Sequence, residues 1–151
     1  MTDRGGARLR LALWIALIVT VVVPWGRFVD HTHWARVQWV PFVTPPVKPF
    51  DVVANMFFYM PYGYWFLRQR RCDRRTLMMA VVSAFLLSIG TEATQLFSHG
   101  RFPSFTDVTS NVAGAYAGAY LAIRRARIRH DSMVLTNGPP ESAISARRSV
   151  S

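Results

Sequence analysis

Cysteine and acidic side chains are both scarce in this chain of 151 residues, which has one cysteine and eight aspartates or glutamates. A single cysteine, Cys72, can form neither an internal disulfide bond nor a cysteine metal cluster. Charged residues amount to 17%, which is low for a soluble domain that must coat its surface. The length leaves room for one domain, so function must come from a single compact unit.

Recognisable catalytic signatures are missing as well. The sequence has no nucleophile elbow of the GxSxG type, no phosphate-binding loop and no dinucleotide fingerprint. His31, His33 and His99 are potential metal ligands, but neither an HExxH spacing nor an acid-rich ligand set accompanies them. We therefore expect no cofactor and no metal site. Whether the protein is an enzyme stays open, and a role outside catalysis is favoured.

The apolar residues, 51% of the chain, are concentrated in four stretches that are nearly free of charge. These stretches cover roughly residues 11–29, 51–67, 77–97 and 106–123. Each approaches the ~20 residues that a helix needs to cross a ~30 Å hydrocarbon layer. The first stretch follows arginines, as in a signal peptide, but no small-x-small cleavage site comes after it. The sequence therefore predicts an all-α membrane bundle of four transmembrane helices.

Basic residues determine the predicted orientation. Most of the 18 lysines and arginines lie in three patches, within residues 4–10, 68–75 and 124–129. Alternating spans place these patches on one side, which the positive-inside rule assigns to the cytoplasm. We therefore predict that both termini are cytoplasmic. The net charge of +10 is explained by this placement, and we expect no nucleic-acid partner.

The chain is predicted to divide into a cytoplasmic N-terminus at 1–10, a membrane domain at 11–125 and a cytoplasmic tail at 126–151. The tail is polar and rich in serine, so we expect it to be disordered. The segment at 30–50, between the first two spans, contains four prolines and several aromatic rings of the kind that settle at a membrane surface. We expect it to lie along the outer face.

Polar side chains gather near the outer ends of spans two, three and four, because these spans alternate in direction. Glu92 comes five residues before Phe97, which ends the third span, so it would lie about 7 Å below that end at 1.5 Å per residue. An unpaired charge at such depth costs on the order of 1–3 kcal/mol, and we expect Arg101 to pair with it. The residues predicted to form this polar pocket are Asp51, Asn55, Glu92, Gln95, Arg101, Asp107 and Asn111.

Each of these residues also has a purely structural interpretation. An acid that opens a helix, such as Asp51 or Asp107, is more often a cap than a catalyst. Ser104 to Asp107 fits the capping box, in which a hydroxyl residue is followed three positions later by an acid. Asn55 and Asn111 could serve as hydrogen-bond links between helices.

Small residues and a proline predict where helices pack or bend. Pro61 and Gly63 are expected to bend the second span. Gly114 and Gly118 form a GxxxG pair that allows close helix contact. They continue the face of the fourth span that carries Asp107.

Taken together, these motifs resemble the VanZ-like family, which is named for an accessory protein of teicoplanin resistance. The matching residues are Asp51, Asn55, Pro61, Gly63, Glu92, Gln95, Arg101, Pro103, Ser104, Asp107, Asn111, Gly114 and Gly118. The resemblance covers about residues 38–123. It implies a small multi-pass protein of the bacterial cell membrane and no settled reaction.

Three functions remain open. The favoured one is a cell-envelope protein whose outer-facing pocket engages a lipid or glycan-precursor head group. The family name then implies an effect on susceptibility to teicoplanin-type antibiotics. The alternative is a noncatalytic subunit that packs against a partner enzyme or transporter through Gly114 and Gly118. The third is a membrane-embedded hydrolase or transferase, for which no nucleophile identifies itself. Membrane lipids are expected partners in every case.

Overall fold

The computed structural model describes residues 4–43, 48–100 and 102–136, and for 134–136 the backbone only. The helices are α1 (Arg4–Val22), α2 (Pro49–Arg68), α3 (Arg74–Gln95) and α4 (Phe105–Thr136). A single 3-10 turn, Trp34–Arg36, lies between α1 and α2. Within these ranges the only β pairing is two isolated bridges. The prediction of an all-α fold is therefore confirmed for this part of the chain.

Two of the helices, α1 and α3, are long and apolar enough to cross a membrane. Most of each helix faces outward, since only 17% of the most apolar 18-residue stretch of α1 and 33% of that of α3 is buried. The outward side of α1 presents Leu9 and Leu13, each more than half exposed. Such surfaces are stable in contact with lipid rather than with water.

The helix boundaries follow from local chemistry. Pro49 stands in the first turn of α2, where a missing N–H costs nothing. Asp73 caps α3 by accepting a hydrogen bond from the Thr76 amide (2.7 Å), which holds the pKa of Asp73 below its usual range. The last helix, α4, continues to Thr136 and so passes residue 126, where we expected the tail to begin. No glycine or proline interrupts the chain there, and the rest of the predicted tail, 137–151, lies outside the described residues.

The centre of the bundle is α2, against which the other three helices pack. Its aromatic and aliphatic side chains fill a core whose other walls are mostly alanine. The buried core residues are Leu11 and Ile18 of α1, Tyr59, Tyr62, Phe66 and Leu67 of α2, Ala80 and Ala84 of α3, and Ala115, Ala119 and Ala122 of α4. Large residues on one helix thus face small ones on its neighbours.

Three glycines allow α2 and α4 to approach until their backbones touch. A Cβ atom at Gly63 would overlap the Ala115 carbonyl, and one at Gly114 would overlap that of Met56. At Gly118 it would overlap the Met60 carbonyl. Pro61, where a bend was predicted, lies inside α2 between Met60 and Gly63 in the sequence. Trp14 of α1 donates its indole N–H to the Phe58 carbonyl (2.8 Å).

The two ends of the bundle differ in chemistry. The Arg10 guanidinium lies over the Trp65 ring, 4.8 Å from its centroid, and Arg125 donates to the Tyr64 hydroxyl (3.3 Å). The beginning of α1, the end of α2 and the middle of α4 therefore lie together at one end of the bundle. We call it the basic end. The opposite, polar end contains the end of α3 and the beginning of α4.

The segment after α1 folds over the polar end. The Val29 amide donates to the Phe97 carbonyl (2.8 Å), and the Gln38 amide donates to the Pro103 carbonyl (2.9 Å). Trp34 and Trp39 stack in parallel, 6.4 Å apart, and both are more than half exposed. Residues 28–43 therefore form a roof on the loop between α3 and α4, with tryptophan rings outward.

Replacing Gly118 by alanine is expected to lower the free energy of unfolding by about 1–3 kcal/mol, because the added Cβ would push α4 away from α2. Gly90→Ala is the matched control, since Gly90 is also helical and has open space where a Cβ would lie. The control should be neutral or stabilise by up to about 1 kcal/mol. Chemical denaturation in detergent measures both, and equal stability of the two variants would contradict the close contact.

Candidate functional site

A cavity of about 260 Å³ lies at the polar end, where all four helices contribute to its wall. We call it the polar cavity. Its lining is Val21 and Val22 of α1, Ala54, Asn55, Phe58 and Tyr59 of α2, Glu92 and Gln95 of α3, and Asp107 and Asn111 of α4. One side of the wall is aliphatic and aromatic, and the other carries two carboxyl groups and three amides.

Most of the residues predicted to form a polar pocket are brought together here, namely Asn55, Glu92, Gln95, Asp107 and Asn111. Asp51 is not among the lining residues. It is exposed in the first turn of α2, one turn nearer the surface than Asn55. Arg101, predicted to pair with Glu92, lies outside the described residues.

The carboxylate of Glu92 holds the beginning of α4. Its side chain is only 7% exposed and accepts a hydrogen bond from the Ser104 amide (2.8 Å) and a longer one from Gln95 Nε2 (3.3 Å). Ser104 directly precedes α4, and a negative charge near a helix N-terminus is favoured by the helix dipole. Glu92 thus joins two helices at the cavity wall.

This contact corrects the predicted capping box. A capping box would require the Asp107 side chain to accept the Ser104 amide. Glu92 accepts that amide instead, while the Ser104 hydroxyl accepts from the Thr106 amide (3.2 Å). The reason is that α3 brings a buried carboxylate to the place that Asp107 would have reached from its own helix.

Asp107 is consequently directed toward α2. Its Oδ1 accepts a hydrogen bond from Asn55 Nδ2 (2.8 Å). On the other side of the cavity, Asn111 Nδ2 donates to the Ser88 hydroxyl of α3 (2.9 Å). The two asparagines therefore connect α4 with α2 and with α3, in line with their structural interpretation.

Two buried oxygens on residues that line the cavity lack a hydrogen-bond partner among the described residues. They are Asn111 Oδ1 and the Tyr59 hydroxyl, on side chains that are 4% and 0% exposed. The Tyr59 hydroxyl lies beside Ser88 and Thr91 without forming a regular hydrogen bond to either. A buried polar group left in this state costs about 1–3 kcal/mol, so a native protein normally supplies it with a partner.

Tyr59 was not predicted as a site residue, since it stands among the apolar and aromatic residues of the second span. The signal that would have found it is spacing. Tyr59 follows Asn55 by four positions and therefore lies one turn deeper on the same face of α2. Ser88, which receives the Asn111 amide, similarly precedes Glu92 by four positions on α3.

Three histidines lie together at the same end but outside the polar cavity. His31 and His33 belong to the roof, and His99 belongs to the loop between α3 and α4. One ring nitrogen from each lies within 4.8 Å of the others. The sequence analysis named these three histidines as potential ligands but expected no metal site, because their meeting depends on how the fold joins the two segments.

Replacing Glu92 by alanine is expected to lower the free energy of unfolding by about 1–3 kcal/mol, because the buried Ser104 amide would lose its acceptor. Glu92→Gln keeps an oxygen acceptor and should lose less. Thr94→Ala is a control on the same helix, since that hydroxyl bonds only within α3, and it should change stability by no more than about 0.5 kcal/mol. Equal free energies of unfolding for Glu92→Ala and Thr94→Ala, measured by chemical denaturation, would contradict a capping role for Glu92.

The comparisons with known proteins agree with the predicted resemblance. The family model described as VanZ/LLP1 matches residues 9–128. A search of curated proteins and a search of solved structures each gave no match. All residues that line the polar cavity fall inside the matched region. The match takes in most of the sequence, and the chain belongs to the VanZ/LLP1 family.

Proposed function

We propose that this protein crosses the bacterial cell membrane four times, with both termini in the cytoplasm, and binds the polar head group of a lipid or lipid-linked glycan precursor in its outward-facing polar cavity. The observation that carries the proposal is the pair of buried oxygens, on Tyr59 and Asn111, that have no partner among the described residues. Both belong to residues that line the cavity. A ligand with hydroxyl or amide groups would satisfy them.

The membrane arrangement is supported by what the four helices expose. Family membership and the apolar helices α1 and α3 together indicate a membrane protein. The two remaining helices also turn large apolar residues outward, including Val53 and Phe57 on α2 and Tyr120 and Leu121 on α4. Lipid is the solvent that suits such a surface on every side of a bundle.

The orientation is supported by the separation of charge. The arginines at the basic end belong to all three basic patches of the sequence, and the positive-inside rule places them in the cytoplasm. The polar end, with the tryptophan rings of its roof, then lies at the outer surface. Tryptophan is enriched at membrane–water interfaces, which agrees with this position.

The size and lining of the cavity favour one amphiphilic head group. At about 260 Å³ it is slightly smaller than the ~300 Å³ at which pockets for drug-sized ligands begin. Val22 and Phe58 offer an apolar side for the lipid part of the ligand, and Asp107 and Asn111 offer acceptors for hydroxyl hydrogens. In this arrangement Glu92 fixes the wall, and Arg101, which lies outside the described residues, is assigned to an anionic group of the ligand because its guanidinium binds such groups.

The other two functions are less well supported. The partner-subunit hypothesis assigned Gly114 and Gly118 to another protein, but both glycines are covered by α2 of the same chain. That surface is therefore not open to a partner. A hydrolase or transferase would need an activated nucleophile or base, whereas the two carboxyl groups of the cavity hold helices together by accepting from the Ser104 amide and from Asn55.

Cysteine labelling tests the four-span orientation. The natural Cys72 is half-buried and its pKa is raised by burial, so it reacts slowly and is first replaced, as Cys72→Ser. Thr32→Cys and Arg71→Cys then place exposed thiols at opposite ends of the bundle. An impermeant maleimide should label Thr32→Cys in intact cells and Arg71→Cys only after permeabilisation. Labelling of Arg71→Cys in intact cells would contradict the proposed orientation.

The pair Tyr59→Phe and Tyr62→Phe tests the cavity. Because the Tyr59 hydroxyl forms no regular hydrogen bond, its removal should leave the free energy of unfolding of the ligand-free protein unchanged or raise it by up to about 3 kcal/mol. It should weaken binding of a head group by about threefold to tenfold, the value of one hydrogen bond. Tyr62→Phe is the matched control, because the Tyr62 hydroxyl donates to Ser83 (2.8 Å) away from the cavity. That variant should lose about 1 kcal/mol of stability and keep its binding.

Binding is measured as the lipid retained by purified protein in native mass spectrometry, and its consequence as teicoplanin susceptibility of cells that express each variant at equal abundance. Phospholipid and lipid-linked glycan precursor are supplied in separate preparations, so that the retained species identifies the source. A Tyr59→Phe protein that retains lipid and alters susceptibility as the unmodified protein does would refute the proposal.

A further inference from the structure

Two of the three clustered histidines have one ring nitrogen already engaged. His33 Nδ1 lies 3.1 Å from the Leu96 carbonyl oxygen, and His31 Nδ1 lies 2.9 Å from Asp30 Oδ1. In both contacts the oxygen can only accept, so Nδ1 carries the proton and Nε2 of each ring keeps its lone pair. Histidines that bind metals are commonly held in this way, by a carbonyl or carboxylate on the other nitrogen.

The backbone fixes the two segments that carry these rings. The His33 amide donates to the same Leu96 carbonyl (2.9 Å), and the Arg36 guanidinium donates to the His99 carbonyl (3.0 Å). Phe28 and Ser98 form an antiparallel bridge beside them. The histidines are thus presented by a hydrogen-bonded junction between the roof and the loop after α3, rather than by two independent loops.

The ring positions are close to those that a metal ion requires. The ring centroids lie 4.7 to 5.3 Å apart, and the three nitrogens lie within 4.8 Å of one another. Three nitrogens bound to zinc at 2.0–2.1 Å in a tetrahedron would lie about 3.4 Å apart. His31 and His99 are exposed, so small rotations of their side chains can close this difference.

We propose that His31, His33 and His99 bind one divalent transition-metal ion, with Zn²⁺ as the best fit, and that the ion fastens the roof to the loop between α3 and α4. Neutral imidazole nitrogens suit zinc, copper and nickel, whereas magnesium and calcium require oxygen ligands. Three protein ligands leave a fourth position for water. The site is separate from the polar cavity, and the proposal does not depend on the function suggested for that cavity.

The first experiment measures metal content. The full chain is purified in detergent without a histidine tag, stripped with a chelator, dialysed against micromolar ZnCl₂ and analysed by elemental mass spectrometry. We expect one zinc per chain, and at least a tenfold weaker affinity in His99→Ala. His130→Ala is the matched control, since His130 is an exposed histidine of α4 outside the cluster, and it should bind zinc as the unmodified chain does. Absence of stoichiometric zinc, or equal binding by His99→Ala, would overturn the site.

The second experiment uses a conservative change that leaves all three ligands in place. Asp30 is almost fully exposed and contacts His31, so Asp30→Asn should fold normally. Loss of a carboxylate behind a metal-bound histidine typically weakens metal affinity by 10–100-fold, and we expect a decrease of about tenfold. Zn²⁺ should also raise the unfolding temperature of the unmodified chain, and Mg²⁺ should not, because only an ion that binds the folded state stabilises it. Equal stabilisation by Mg²⁺, or unchanged zinc affinity in Asp30→Asn, would contradict the assignment.

Discussion

Three glycines let the backbones of α2 and α4 touch, and the positions of the other polar groups follow from that contact. Because no side chain separates the two helices at Gly114 and Gly118, the Asn55 amide reaches Asp107 directly. About two turns beyond Gly118, the same closeness of the two helices brings Arg125 to Tyr64. In lipid there is no hydrophobic force to press helices together, so shape complementarity of this kind must supply the association. The cavity is therefore a gap left at one end of an otherwise tight helix pair.

Buried charge in this protein has a structural role before any other. Glu92 accepts a hydrogen bond from the buried Ser104 amide just before α4 and fixes that helix relative to α3. Asp107 fixes α4 relative to α2 by the same means. Both carboxyl groups also line the polar cavity. Under the proposed function, the same residues would serve structure and binding.

Periodicity and charge placement were enough to predict four helices and the carboxyl and amide groups of the cavity lining, because both depend on patterns within single helices. Spacing of four residues put Asp107 and Asn111 on one face, and alternation of the helices put Glu92 at the same end. The partners of these residues were not predictable in the same way. Whether Ser104 is capped by Asp107 or by Glu92 depends on how closely α3 approaches α4, which no local pattern encodes. The meeting of His33 with His99 likewise depends on the path of the roof.

The attachment of α1 differs from that of the other helices. It packs mainly against α2, and its indole contact to the Phe58 carbonyl lies three residues before Pro61, yet Val21 and Val22 close one wall of the polar cavity. The helices α2, α3 and α4 contact one another directly, so they would stay assembled if the end of α1 swung outward. An amphiphile could then enter the cavity laterally from the surrounding leaflet while its acyl chains stay in the hydrocarbon layer. The end of α1 would form the entrance.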